Sequence, residues 1–274
     1  HEYFPDHGLH EGQWSWLIRS NQAGINFALY HASEAQPERE HWQELVAHDD
    51  AVMLEDVSLN AEAITLTLRE GGLPVIEVRP QGVQPYRLQL PDAAYSLYVQ
   101  NSLEFTSTVI RLRYEALNRP AQIRQLTLAD GTQEVLKETP VEGPFDADAY
   151  ESRRIWATAQ DGTQIPISLV GQRDSFGKPA PLYLYGYGAY GHSLDPWFSH
   201  ARLSLLDRGF VFAIAHVRGL VPCRQAGAQT EHLQRLHRQR RAAAGRWLHH
   251  LRALGHQRRQ RRWPADRGSA EHAP

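Results

Sequence analysis

The chain has 274 residues and 31.2 kDa, and its 42% hydrophobic and 9% aromatic content supplies a core for one large domain or two ordinary ones, which excludes wholesale disorder. No apolar run approaches a bilayer span, no charged-then-apolar leader opens the chain, and Cys223 is the lone cysteine. The lone cysteine excludes an internal disulfide and a multi-cysteine zinc site, and the expectation is a reducing setting with no membrane contact, no metal and no cofactor; the start at His1 reads as processing or a fragment.

The net charge of −2 conceals a split. From Leu220 onward there are 12 Arg, no Lys and 3 acids, a net of +9, against 17 bases and 28 acids, a net of −11, before it. That 55-residue tail holds one Val and no Ile, Phe or Tyr, so it is not an ordinary continuation of the domain before it.

Residues 1–147 read as strands. Trp14, Trp16 and Ile18 alternate with Ser15 and Leu17, a turn is expected over Asn21–Gly24, and Phe27 and Leu29 flank Ala28. The pattern returns at Ala63–Leu68, the turn Gly71-Gly72 and Val75–Val78. It returns again at Val109–Tyr114, a break at Asn118-Arg119-Pro120, Gln122–Leu128 and the turn Asp130-Gly131. A cycle of about 40 to 50 residues is the period of a four-stranded propeller blade, with a β-sandwich as the alternative; about three blades cannot close a ring, so further blades are expected upstream.

Pro140-Val141-Glu142-Gly143-Pro144 punctuates the end of this region, and a different pattern follows. Arg154–Ala159 and Gln164–Val170 form a hairpin around Asp161-Gly162, and Pro181–Tyr185 is a short strand running into glycines. A helix is expected over Phe198–Asp207 from the spacing of Phe198, Ala201 and Leu205, stopped by Gly209, before the apolar strand Phe210–Ala215. Strand, glycine run, helix and apolar strand make an α/β unit, so the fold class is mixed.

Two places could carry chemistry. Leu184-Tyr185-Gly186-Tyr187-Gly188-Ala189-Tyr190-Gly191 ends a strand, where glycines admit a close backbone approach and a tyrosine hydroxyl can donate to developing negative charge; an aromatic, glycine-rich turn is the bland alternative. His216-Val217-Arg218-Gly219 ends the next strand. His216 could be a base but is more often structural in such a place, and Arg218 could bind a carboxylate or cap the sheet edge. No G-x-S-x-G elbow is present; Gly191-His192-Ser193-Leu194-Asp195 lacks its second glycine. His249-His250 lacks the spacing of a metal site, and the tail arginines could hold the phosphates of a nucleic acid.

These stretches bear a specific resemblance. Arg153-Arg154-Ile155-Trp156-Ala157-Thr158-Ala159 through Pro166-Ile167-Ser168-Leu169-Val170, Leu184 to Gly191, and Arg202 through Gly219 resemble the opening of the peptidase domain in the oligopeptidase B branch of the prolyl oligopeptidase family. Arg19-Ser20-Asn21 and Met53-Leu54-Glu55 resemble its closing propeller blades, and the likeness covers residues 1–219. The resemblance implies an α/β-hydrolase domain capped by a seven-bladed propeller, in a serine peptidase that cuts short peptides after Lys or Arg. It implies that Tyr187 donates to the oxyanion and that Tyr190 lines a pocket. The family's Ser, Asp and His lie beyond this stretch, none of them in frame in this chain, and the acids that would select Lys or Arg are also outside it. Oligomeric state is left open.

After Gly219 the chain departs from the family pattern. Written as CGG CGG CAG CGC CGG TGG, Arg258–Trp263 read one nucleotide forward becomes Gly-Gly-Ser-Ala-Gly-Gly, the family's nucleophile elbow. Gln229–Arg238, shifted alike with permitted codons, becomes Lys-Gln-Asn-Thr-Phe-Asn-Asp-Phe-Ile-Ala, which resembles the preceding helix. The expectation is thus a propeller end at 1–147, the start of a hydrolase at 148–219, and an out-of-frame tail at 220–274, in a chain inactive as written. A non-catalytic propeller module for peptide binding and an Arg-tail nucleic-acid binder are the alternatives; the frameshift, unlike the latter, explains arginine without lysine.

Overall fold

The structure, a computed structural model, describes residues 1–100, 104–158, 162, 164–187 and 194–216. Three consecutive antiparallel sheets of four strands come first. They are β1 (Tyr3–His10), β2 (Gln13–Ser20), β3 (Ala28–Ser33) and β4 (Gln43–Val46); β5 (Val52–Leu59), β6 (Ala63–Glu70), β7 (Leu73–Pro80) and β8 (Tyr86–Arg87); then β9 (Tyr95–Gln100), β10 (Val109–Ala116), β11 (Arg119–Thr127) and β12 (Gln133–Glu138). In each, neighbours in sequence are neighbours in the sheet, which is the meander of a propeller blade.

The blades stack face to face. Ile64, Leu66 and Leu68 of β6 pack against Leu17 and Leu29 of the first blade. Ala63 of β6, with Ile76 and Val78 of β7, packs against Leu97, Ile110, Leu112 and Tyr114 of the third. A strand so placed is buried on both faces, and this modifies the alternation read in β2. Ser15 and Leu17 are buried, while Trp14 is 54% exposed and stacks on His7, against which Trp16 also packs at a tilt. The break at 118–120 is a hairpin turn at Leu117-Asn118, and Pro120 already belongs to β11. Pro120 and Ala121 there stand opposite Glu115 in a β-bulge, where a proline removes no regular ladder bond.

The fourth sheet is mixed. β13 (Tyr150–Thr158) pairs antiparallel with β14 (Gln164–Gln172), β14 antiparallel with β16 (Val211–His216), and β15 (Leu182–Tyr187) parallel with β16, giving the order β13-β14-β16-β15. Helix α1 (His200–Leu206) makes the crossover, and Gly209, at φ 82°, ends it with its N–H on the Leu206 carbonyl. Every residue of β16 is buried, as a strand with neighbours on both edges and cover on both faces requires.

The buried face of α1 differs from the sequence expectation. Ala201 is exposed and Leu205 half-buried, whereas Arg202 and Leu206 are buried. The Arg202 guanidinium lies 3.9 Å from the Phe212 ring centroid and 5.1 Å from that of Trp197, and it donates to the Trp197 carbonyl at 2.7 Å. Burial lowers its pKa to about 10 against the opposing pull of Glu115.

The fold class read from the sequence, blades of a partial propeller followed by an α/β unit, is what these sheets show. Among the described residues no helix is long and apolar enough to cross a membrane.

Candidate active site

Two parallel strands end side by side at the candidate site. In the β15–β16 register Gly186 stands opposite Ala215 and Tyr187 opposite His216, so Tyr187 lies at the carboxyl end of the parallel pair, on the outermost strand among the described residues, where α/β sheets place their ligands. The strand read as Pro181–Tyr185 runs two residues further, to include Gly186 and Tyr187. Tyr190 and Arg218 lie outside the described residues. So do Cys223, His249-His250, both windows of the shifted frame and the rest of the arginine tail.

His216 is 1% exposed, and its Nε2 lies 2.7 Å from the Oγ of Ser168 on β14, itself fully buried. Burial, then the charge of Arg154, pushes its pKa down to about 4 against the weaker opposing effect of Asp195; the ring also interacts with the Leu194 backbone, although Nδ1 closes no well-formed hydrogen bond. The imidazole is thus neutral near neutral pH. With one ring nitrogen taken by Ser168 and no solvent at the other, it is held as a structural group.

A hairpin of the second blade packs against this end of the mixed sheet. β6 and β7 are joined by Gly71 and Gly72, at φ 56° and 87°, the two left-handed positions that a type I′ turn demands. The tip meets the sheet closely: a Cβ on Gly72 would lie 3.0 Å from the His216 Cβ and 3.4 Å from Pro166, and Arg154 of β13 donates to the Gly71 carbonyl.

Beside the tip, Arg69 reaches Asp195, just past the glycine-rich run. Nη1 lies 2.5 Å from Oδ1 and Nη2 3.4 Å from Oδ2; Nε bonds Glu55 at 2.6 Å, and Nη1 also reaches the Gly72 carbonyl at 3.2 Å. Burial would lower the pKa of this guanidinium, but the bonds to Asp195 and Glu55 outweigh it and raise it. From the third blade, Tyr98 donates to Asp195 Oδ2 at 3.2 Å; burial, reinforced by that carboxylate, pushes its hydroxyl up to about 12.

Sequence reading found the strand ends and the glycine turn but missed Arg69, Tyr98, Ser168 and Asp195 as members of this region. Arg69 and Asp195 are 126 positions apart, and no local pattern joins them.

Comparison with known proteins follows the same division. Residues 7–139 match the family model of the prolyl oligopeptidase N-terminal beta-propeller domain. Dipeptidyl aminopeptidase BI of Pseudoxanthomonas mexicana is 37% identical over 209 residues, covering 74% of this chain and 28% of that protein. Oligopeptidase B from Leishmania major is similar in structure with a TM-score of 0.68 and 31% identity, over 79% of this chain and 32% of that one. Oligopeptidase B from Trypanosoma brucei, solved in a closed form with covalently bound antipain, gives 0.69 and 30% over the same shares. The chain spans about a third or less of the length of these relatives. The match of the blades to that propeller model, with the likeness of relatives and solved structures over three quarters of the sequence, means that the chain belongs to the prolyl oligopeptidase family.

Proposed function

We propose that this chain is a segment of a cytoplasmic serine-type oligopeptidase of the oligopeptidase B kind, acting on short peptides after Lys or Arg. Residues 1–147 are assigned to the last blades of the propeller, 148–219 to the opening of an α/β-hydrolase peptidase domain, and 220–274 to translation in a shifted frame. The observation that carries the reading is the juxtaposition of Tyr187 and His216 at the ends of adjacent parallel strands, against a propeller hairpin. The order β13-β14-β16-β15, with an antiparallel first pair and a parallel crossover, supports it as the order in which an α/β-hydrolase sheet begins.

In such an enzyme a serine attacks the scissile carbonyl, a histidine takes its proton and returns it to the leaving amine, and an aspartate orients the histidine. Tyr187 and a backbone N–H are assigned to the oxyanion, Tyr190 to a substrate pocket and Arg218 to a substrate carboxylate. The enclosed, neutral His216 is not the proton relay. The serine is that of the shifted reading of 258–263, so the chain as written is inactive. Consistent with this, each relative named above covers no more of the chain than residues 1–219 make up.

Sequencing the DNA across the Gly219 codon and restoring the frame by one nucleotide tests the proposal. The restored protein is expected to hydrolyse an Arg-containing fluorogenic peptide and the 274-residue chain is not. Independent isolates that keep the arginine phase intact, or a restored protein without peptidase activity, would contradict it.

A further inference from the structure

We infer that Arg69, on the propeller's β6–β7 hairpin, is a positioning residue for the end of β15 that carries Tyr187, and that it acts by holding Asp195. The inference rests on the oxyanion assignment of Tyr187 made above. The described residues on either side of the glycine-rich run are both referred to the same hairpin. At the upstream point Tyr187 stands in register with His216, whose Cβ abuts Gly72. At the downstream point Asp195 is bound by Arg69 through both carboxylate oxygens and by Tyr98 from the next blade.

The orientation of Arg69 is itself over-determined. Glu55 fixes Nε, the Gly72 carbonyl and Asp195 share Nη1, and the side chains of Arg69 and Asp195 are only 14% and 11% exposed. A forked guanidinium held this way fixes direction as well as distance. As a stabilising device such a buried cluster is inefficient, because desolvation of the charges offsets much of their attraction; as a geometric reference it is strict. Oxyanion donors act only when aimed at the position the oxygen will occupy, so a shift of about 1 Å in the strand end that carries Tyr187 can reduce turnover by about a hundredfold. The propeller would thereby act on the chemistry through one carboxylate.

Hydrogen exchange of the 274-residue chain provides a test that requires no activity. In Arg69→Gln and Asp195→Asn, exchange is expected to quicken at Gly186, Tyr187, Leu194 and Asp195 and to stay unchanged in β10 and β11; unchanged exchange at those four amides in both variants overturns the inference. If Arg69→Gln loosens the whole molecule, Asp195→Asn, which leaves Arg69 paired with Glu55, decides: quickening confined to the same amides supports the proposal, and its absence there overturns it. In the frame-restored enzyme, Arg69→Gln is expected to lower kcat about tenfold or more with KM changed less than about twofold, and Arg69→Lys to recover part of the loss. Equal kcat in wild type and Arg69→Gln overturns the positioning role. A restored wild-type enzyme with no turnover instead sinks the functional reading, leaving the exchange result to judge the tether alone.

Discussion

The guanidinium of Arg69 and the carboxylate of Asp195 meet at 2.5 Å across the seam between the second blade and the mixed sheet, with Glu55 on the other side of the same guanidinium. Two acids and one base therefore share a largely enclosed site, and removing the base takes away the cation that Glu55 and Asp195 share. Arg69→Met should cost about 3–5 kcal/mol, the penalty for breaking a buried pair by deleting one partner. Asp195→Asn, which leaves Arg69 paired with Glu55, should cost less, about 1–3 kcal/mol. Urea denaturation of the two variants checks the order; a larger loss in Asp195→Asn would contradict it.

Gly72 and Gly82 separate backbone strain from packing. Both have positive φ, 87° and 69°, but a Cβ at Gly82 meets nothing within 4 Å while one at Gly72 meets His216 at 3.0 Å. Gly82→Ala should cost about 1 kcal/mol from the left-handed backbone alone. Gly72→Ala should cost about 1–3 kcal/mol more, because His216 is fixed by Ser168 and cannot retreat. Equal thermal stability of the two variants would show that the hairpin does not press on β16.

His216 should make stability depend on pH in a defined window. Its pKa falls from the ordinary 6.5 to about 4 on folding, so the unfolded chain binds the proton more readily between those values. The contribution is fully present above about 6.5 and is lost as pH falls toward 4, at up to about 1.4 kcal/mol per pH unit. His10, lowered chiefly by burial and then by His31, acts in the same direction. His216→Gln should flatten the fall between pH 6.5 and 4 without abolishing it; a curve parallel to that of the parent would place the titration elsewhere.

What the sequence disclosed follows from where each signal resides. β16 was legible because Val211–Ala215 is a buried, unbroken apolar run, and the β6–β7 turn because two adjacent glycines serve two positive φ angles. β1 was not, since Pro5, Asp6 and Gly8 interrupt an exposed edge strand whose paired neighbour β2 supplies the core residues. β12 was hidden in a similar way, as the exposed and largely polar run Gln133–Glu138. On α1, a cation buried over Phe212 occupies the face that hydrophobic spacing would give to a leucine. Of the candidate site, the strand ends were readable; the Arg69–Asp195 contact was not, because tertiary structure alone brings those residues together.

The Tyr114 hydroxyl, in the core of the third blade, donates to Asp92, which also receives Arg119 and Asn118. Burial, with that carboxylate, raises the phenol pKa, so the group stays a donor through the physiological range. Tyr114→Phe leaves Asp92 short of one partner in a site only 8% exposed and should cost about 1–3 kcal/mol. Calorimetry showing no change in melting temperature would mean that water replaces the hydroxyl.

Turnover of the frame-restored enzyme, compared between Tyr187 and Tyr187→Phe, bears most directly on the functional assignment. Loss of one oxyanion donor should lower kcat on an Arg-containing fluorogenic peptide by about a hundredfold to a thousandfold, with KM little altered. An unchanged kcat would remove Tyr187 from the reaction and, with it, the chemical role of the end of β15.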